Sequence, residues 1–310
     1  MGGIRVLSGL SALVTLAIMI LGAAVRATDS GLSCPDWPTC YGRWIPLPGD
    51  IPPEAGYAYY QVLLEWVHRL LVGVVLGPLV LVTALWAWRK RGSDPALGTY
   101  GAAALLLLLA QAAMGGVTVL DRNSPWSVAV HLVLAMLLLT VLLLLFDRSR
   151  GALWRAEDGF RRLRLPAVAA WALLLAASAS AAVVAKSGAS LACPDWPLCE
   201  GRLFPAASNP LVHLQLGHRW LAAAALFAVA VLALRAWPVP RARWLALVGF
   251  AFALVTALLA GHAIAFLWPV WAQVVHQALA VLALLHVSLV LARSLHARAG
   301  AVGEAAGVPA

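Results

Sequence analysis

The sequence predicts an all-α polytopic membrane protein: eight transmembrane helices as two parallel four-helix repeats, both termini cytoplasmic. Three observations carry this. Hydrophobic residues make up 63% of the chain and charged residues 11%, where a soluble domain carries about 25% charged. The apolar residues come in runs of roughly twenty or more, enough to cross a bilayer. A fifteen-residue stretch also occurs twice. Leu32 to Pro46 reads LSCPDWPTCYGRWIP and Leu191 to Pro205 reads LACPDWPLCEGRLFP, with ten of fifteen positions identical. Self-similarity at a fixed spacing marks a duplication.

The spans follow in order. The first runs from about Ile4 to Val25 behind Arg5. It resembles a signal peptide but is longer than the usual h-region, and its repeat partner lies in mid-chain, so it reads as a retained helix. A polar, proline-rich loop from Arg26 to about Ala55 holds the first cysteine pair. The second span, Tyr57 to Trp88, exceeds one hydrocarbon thickness, so its first turns should project or tilt. The third covers Pro95 to Leu120, and a short loop leads to the fourth, Trp126 to Phe146. Residues 147–165 form a basic linker with Arg148, Arg150, Arg155, Arg161, Arg162 and Arg164. The fifth span is Pro166 to Lys186, followed by the second cysteine loop. The sixth is Pro210 to Arg235, the seventh Trp244 to Phe266 and the eighth Pro269 to Arg293. Residues 297–310 read as a disordered tail. The predicted organisation is therefore a first half, 1–146, the linker, and a second half, 166–296.

Arginine and lysine concentrate after spans two, four, six and eight, which places those ends in the cytoplasm and the cysteine loops outside. The net charge of +9 is thus a topology signal rather than a nucleic-acid footprint, which would cluster on one folded face. Even-numbered halves point the same way, so a pseudo-twofold along the membrane normal should relate them. Outside the plasma membrane disulfides persist, and Cys34–Cys40 and Cys193–Cys199 are expected to pair. A redox-active role for these pairs is the alternative. Zinc is disfavoured, because the loops lack Cys-x2-Cys spacing and histidine.

Duplication filters the eight histidines. His68 precedes Arg69 on the second span, and His218 precedes Arg219 at the same place on the sixth. His131 lies fifteen residues after Gly116, and His276 fifteen after Gly261. Each half thus offers one histidine on its second helix and one on its fourth, all in the outer bilayer. Two imidazoles at one depth on facing helices can hold a flat haem from both sides of its iron; zinc would want three or four ligands. His213, His262, His286 and His296 have no partner in the repeat and weaker claims: His262 stands where the first half has Val117, His286 is about 15 Å deeper than His276, and His296 falls at the cytoplasmic interface. Glu65 is the sharpest single residue, since a carboxylate within a span is a functional hypothesis by default. It shares a helix face with His68 and could instead pair with Arg69 at i+4. The second half carries Gln215 in its place, which favours catalysis at one haem only. Arg69 and Arg219 could meet haem propionates or snorkel outward.

Eight helices in two halves, an outside Cys-x5-Cys loop, Glu-x-x-His-Arg on the second helix and histidines on the fourth, sixth and eighth resemble the haem A synthase family over about residues 5–295. Both halves carry a cysteine pair here, whereas some members carry only the first. The resemblance implies oxidation of the C8 methyl of haem O to a formyl group, by successive hydroxylations, to give haem A for terminal oxidases. It implies that His68 and His131 hold the substrate haem and that His218 and His276 ligate a resident haem B. Glu65 would be the catalytic residue, as proton carrier or stabiliser of a cation. It also implies haem O delivery by a haem O synthase and an electron donor such as quinol; lipid surrounds the chain, and homo-oligomers are compatible. Competing classes are a di-haem electron carrier acting on quinol, a membrane thiol–disulfide oxidoreductase, and a parallel-repeat transporter.

Overall fold

The computed structural model describes residues 2–150, 158–206 and 208–297. The predicted disordered tail beyond 297 and the linker segment 151–157 lie outside the described residues. Among the described residues, eight helices are long and apolar enough to span a membrane. They are α1 (Gly2–Ala27), α2 (Tyr59–Arg89), α3 (Pro95–Leu120), α4 (Pro125–Arg148), α5 (Arg164–Lys186), α6 (Pro210–Ala236), α7 (Pro240–Ala265) and α8 (Val270–His296).

Helix starts are written locally. Asp94, Ser124 and Asn209 each accept a backbone N–H of the first turn, and each is followed by proline, a residue that has no N–H to leave unpaired there. α7 begins at Pro240, four residues before the predicted Trp244. Hydropathy marks where the apolar run starts, whereas the helix starts at the proline, and Arg243 lies over the rings of Trp237 and Trp244. α5 likewise starts two residues before Pro166. α2 is interrupted by a π-helical stretch, Leu71–Leu76. Pro78 explains it: proline cannot donate to the carbonyl four residues back and its ring clashes there, and a widened turn relieves both. α6 has Ala228 at that position and runs unbroken.

Packing repeats. α1 contacts α2 and α4, α2 contacts α3, and α3 contacts α4; α5 contacts α6 and α8, α6 contacts α7, and α7 contacts α8. Across the middle, α4 meets α5, α1 meets α8, and α4 meets α8. At that α4–α8 seam Leu138, Leu139, Leu142, Leu284 and Val287 are fully buried, and the Thr140 and Ser288 hydroxyls lie 3.2 Å apart. The peripheral faces stay apolar and exposed, as with Leu106, Phe227 and Leu234. Helices apolar on every side suit a lipid surround. At the end away from the cysteine loops, Arg148 binds Asp94 through two bonds of 2.7 and 3.0 Å. His296 there bonds Asp147 and Tyr100.

Candidate functional site

Each cysteine loop is a stapled hairpin. Cys34–Cys40 and Cys193–Cys199 are disulfides, and all four cysteines are at most 1% exposed. Such burial closes them to thiol exchange, which needs access to a sulfur. Cys40 pairs by backbone with Arg43, and Cys199 with Arg202. The turn between them takes positive φ at Tyr41 and Gly42, and at Glu200 and Gly201. The two N–H groups thus exposed are received by the aspartate of each CPDWP. Asp36 accepts from Tyr41 N (2.6 Å) and Gly42 N (3.0 Å), and Asp195 from Glu200 N (2.7 Å) and Gly201 N (2.8 Å). Burial raises the Asp36 pKa, but the bonds from Thr39, Gly42 and Tyr41 together outweigh it and hold the group below the usual carboxylate range. Asp195 is lowered chiefly by the Gly201 N–H. In the sequence, repetition in both copies is the one signal that marks these aspartates.

The arginines after His68 and His218 tie the hairpins down. Arg69 donates to the carbonyls of Asp36 (2.5 Å), Thr39 (2.7 Å) and Cys34 (3.1 Å). Arg219 donates to Asp195 (2.8 Å), Cys193 (3.0 Å) and Leu198. Their terminal nitrogens are therefore engaged by loop backbone. The loop tryptophans then close over the helices. A Cβ on Gly116 would lie 3.2 Å from the Trp37 ring, and one on Gly261 2.7 Å from the Trp196 ring.

Beneath the loops lies one continuous cavity of about 770 Å³, lined by both sets of four helices. It takes in His68, His131, His218 and His276, together with Glu65 and Gln215. The two ends of the lining correspond in position but differ in several side chains, among them Gln111 against Thr256 and Val72 against Ala222, and three glycines of the first end are replaced by alanine in the second. Gly22, Gly73 and Gly115 line the first end, where Ala181, Ala223 and Ala260 line the second. A Cβ on Gly22 would sit 3.2 Å from His68 Cε1, and one on Gly115 3.4 Å from His131 Cε1.

The histidine pairs differ too. His68 and His131 are within electrostatic reach of one another, as are His218 and His276. His218 Nδ1 bonds the Ser180 hydroxyl (3.0 Å), and His276 Nδ1 lies 3.1 Å from the Thr256 carbonyl. Such bonds fix the ring and leave Nε2 for a ligand. In the first pair both Nδ1 atoms are buried without a partner, and His131 Nε2 meets the Gln111 amide at 3.1 Å. Two imidazoles per end, in a mostly apolar cavity of ordinary ligand size, fit a planar group that brings its own equatorial donors. His286 bonds Leu282 O of its own helix. His262 and His213 are exposed and do not line the cavity.

Glu65 is 4% exposed. Its Oε2 accepts from Ser33 Oγ (3.1 Å) and Cys34 N (2.9 Å), and its Oε1 from Arg69 Nη2 (2.5 Å). Gln215 instead donates to Ser190 O (3.2 Å), and its Oε1 is buried without a partner. Ala192 stands in the second loop where Ser33 stands in the first, so the carboxylate and its hydroxyl donor change together.

The family described as cytochrome oxidase assembly protein (COX15-CtaA) matches residues 5–288. The chain belongs to this family. Within the cytochrome oxidase assembly family it is 33% identical over 233 residues to the haem A synthase of Geobacillus kaustophilus, covering 70% of this chain and 69% of that one. It is 33% identical over 224 residues to the haem A synthase of Geobacillus thermodenitrificans, covering 70% and 66%. With the haem A synthase of Lysinibacillus sphaericus it shares 34% over 212 residues, covering 66% and 65%. The alignments thus span about two thirds of these relatives' lengths.

Proposed function

We propose that this chain is a haem A synthase, oxidising the C8 methyl of haem O to a formyl group and so supplying haem A for cytochrome oxidase assembly. Membership of the family and likeness to relatives named haem A synthase support the reaction. The inequality of the two ends of one cavity supports the division of labour. In the first half, residues 1–146, His68 and His131 take the substrate haem. Three glycines leave room, no Nδ1 partner locks the imidazoles, and a carboxylate lies on the same helix face as His68. A site that must load and release benefits from imidazoles with no bond at Nδ1; the one bond there, between His131 Nε2 and the Gln111 amide, lies at the ligating nitrogen itself. In the second half, residues 166–296, His218 and His276 hold a resident haem B between pre-oriented rings, which supplies one-electron chemistry when bound. The basic linker 147–165 joins the two.

Glu65 faces the first end, where removal of electrons from the methyl carbon would develop positive charge that a carboxylate can offset, and where the protons released can pass to it. Its hold on Ser33 and Cys34 links that carboxylate to the hairpin above. The hairpins, with Trp37 and Trp196, exclude water from the outer mouth. The cations at the ends remote from the cysteine loops, Arg89, Lys90, Arg91, Arg148 and Arg235 among them, favour a plasma-membrane orientation with the loops outside. Haem O from a membrane haem O synthase, dioxygen as the oxidant, and a quinol-class donor whose two electrons reduce the second oxygen atom to water in each hydroxylation complete the reading. Expression with and without a haem O source, followed by haem extraction and mass analysis, tests it: haem A or its hydroxylated precursor should appear only with both.

A further inference from the structure

Arg69 and Arg219, the cations beside the histidines, are engaged by loop carbonyls. Of the other cations lining the cavity, Arg202 is exposed on the second hairpin. The remaining two are Arg26, at the end of α1, and Lys186, at the end of α5, both partly buried. They come from opposite halves and meet at a side chamber of about 260 Å³ that also includes Asp29, Trp268 and Gln273. Arg26 Nη1 donates to Gln273 Oε1 (3.2 Å). Among the described residues, Lys186 has no hydrogen-bond or ion-pair partner, and Asp29 forms no ion pair with either cation. Asp29 attracts both cations through space, but two cations against one carboxylate leave the chamber net positive, and excess partly buried positive charge is costly.

The chamber adjoins His276. Gln273 lies three residues earlier on α8, about 4.5 Å along the axis toward the cysteine-loop end. The Trp268 ring meets the His276 ring edge-on, centroids 5.3 Å apart. The first half has no equivalent: Val128 stands where Gln273 would be, and Asn123, in place of Trp268, donates to Gly31 O.

We propose that Arg26 and Lys186, with Gln273, form an oxyanion port that binds the propionate carboxylates of the haem held by His218 and His276, retaining that haem while the first end exchanges its own. The inference rests on the haem reading above. A porphyrin's polar edge seeks the wet end of a membrane site, and this port lies one turn from the ligating helix position. Charge-assisted bonds to a carboxylate are about twice as strong as neutral ones. Losing the pair should therefore weaken binding at the second end roughly tenfold or more.

The full chain, purified in detergent from haem-depleted cells, is titrated with iron protoporphyrin IX and with its dimethyl ester, which lacks the carboxylates. Binding is read from the bis-histidine absorption spectrum, in a His68→Ala background so that only the second end reports. The expected result is roughly tenfold or greater preference for the free acid, lost in Arg26→Gln/Lys186→Gln and restored in part by Arg26→Lys. The ester arm needs no substitution in the port and so stands even where a port variant folds poorly. Equal binding of acid and ester overturns the port while leaving the haem reading intact. No bis-histidine spectrum with either ligand overturns both. If acid and ester bind alike and Lys186→Gln instead sheds bound phosphatidylglycerol, the chamber is a lipid-phosphate site and the propionate assignment fails.

Discussion

Glu65→Gln copies the second half onto the first, and the structure sets its cost. The carboxylate collects three donors: Ser33 Oγ, Cys34 N and Arg69 Nη2. Bonds to a charged acceptor contribute about 1.5–3 kcal/mol and neutral ones about 0.5–1.5, so neutralisation costs about 1 kcal/mol per bond. Three bonds give about 3 kcal/mol as an upper figure. Arg69 keeps its three carbonyl acceptors, as Arg219 does beside Gln215, so the fold survives and the loss falls on the anchoring of the first hairpin. At 1.4 kcal/mol per decade, amide exchange at Cys34 should speed up by about a hundredfold, with Cys193 unchanged. Haem binding should persist while haem A formation falls to background. Ser33→Ala should slow nothing further once Glu65 is Gln, though alone it weakens the anchor by about 1 kcal/mol. Unchanged exchange at Cys34 would refute the anchoring argument, and full haem A formation would remove Glu65 from the chemistry.

Gly22→Ala places a methyl 3.2 Å from His68 Cε1 and should shift that ring and lower first-end haem occupancy severalfold, leaving the second end loaded; haem-to-protein stoichiometry by extraction reads this. Gly261→Ala places a methyl 2.7 Å from the Trp196 indole and should unseat that ring, seen as faster haem loss from the second end in a transfer assay to an apo-globin. Asp36 and Asp195 have folded pKa values below their unfolded ones. Their contribution to hairpin stability is therefore full above the ordinary aspartate value of about 3.9 and is lost as pH falls through the depressed folded values. Protection of the Gly42 and Gly201 amides should hold from neutral pH to about 4 and decline only below it; a decline centred near pH 6 would contradict this.

Much of the fold was legible because each apolar run must bury its own backbone bonds in a helix, and the repeat turned single residues into pairs. The histidines were found this way, and so was the contrast of Glu65 with Gln215. Boundaries moved where proline rather than hydropathy starts a helix, as at Pro240. The widened turn in α2 was foreshadowed only by Gly77-Pro78 within an apolar run. What the arginines bind was not legible, because a carbonyl acceptor leaves no mark on sequence: Arg69 and Arg219 hold the hairpins. Nor was the exchange of glycine for alanine at three lining positions, since only the fold says which of many small residues face the cavity. The role of Asp36 and Asp195 needed the positive-φ turn that their carboxylates bridge.

The central claim is that the first end of the cavity transforms haem O and the second does not. The most direct measurement is haem extraction and mass analysis from cells supplying haem O, comparing the native chain with His68→Ala and His218→Ala. The account predicts haem A from the native chain and none from His68→Ala, while the His68→Ala protein still carries haem B at the second end. Haem A formation by His68→Ala at the native level would contradict it, as would a native chain that returns haem O unaltered.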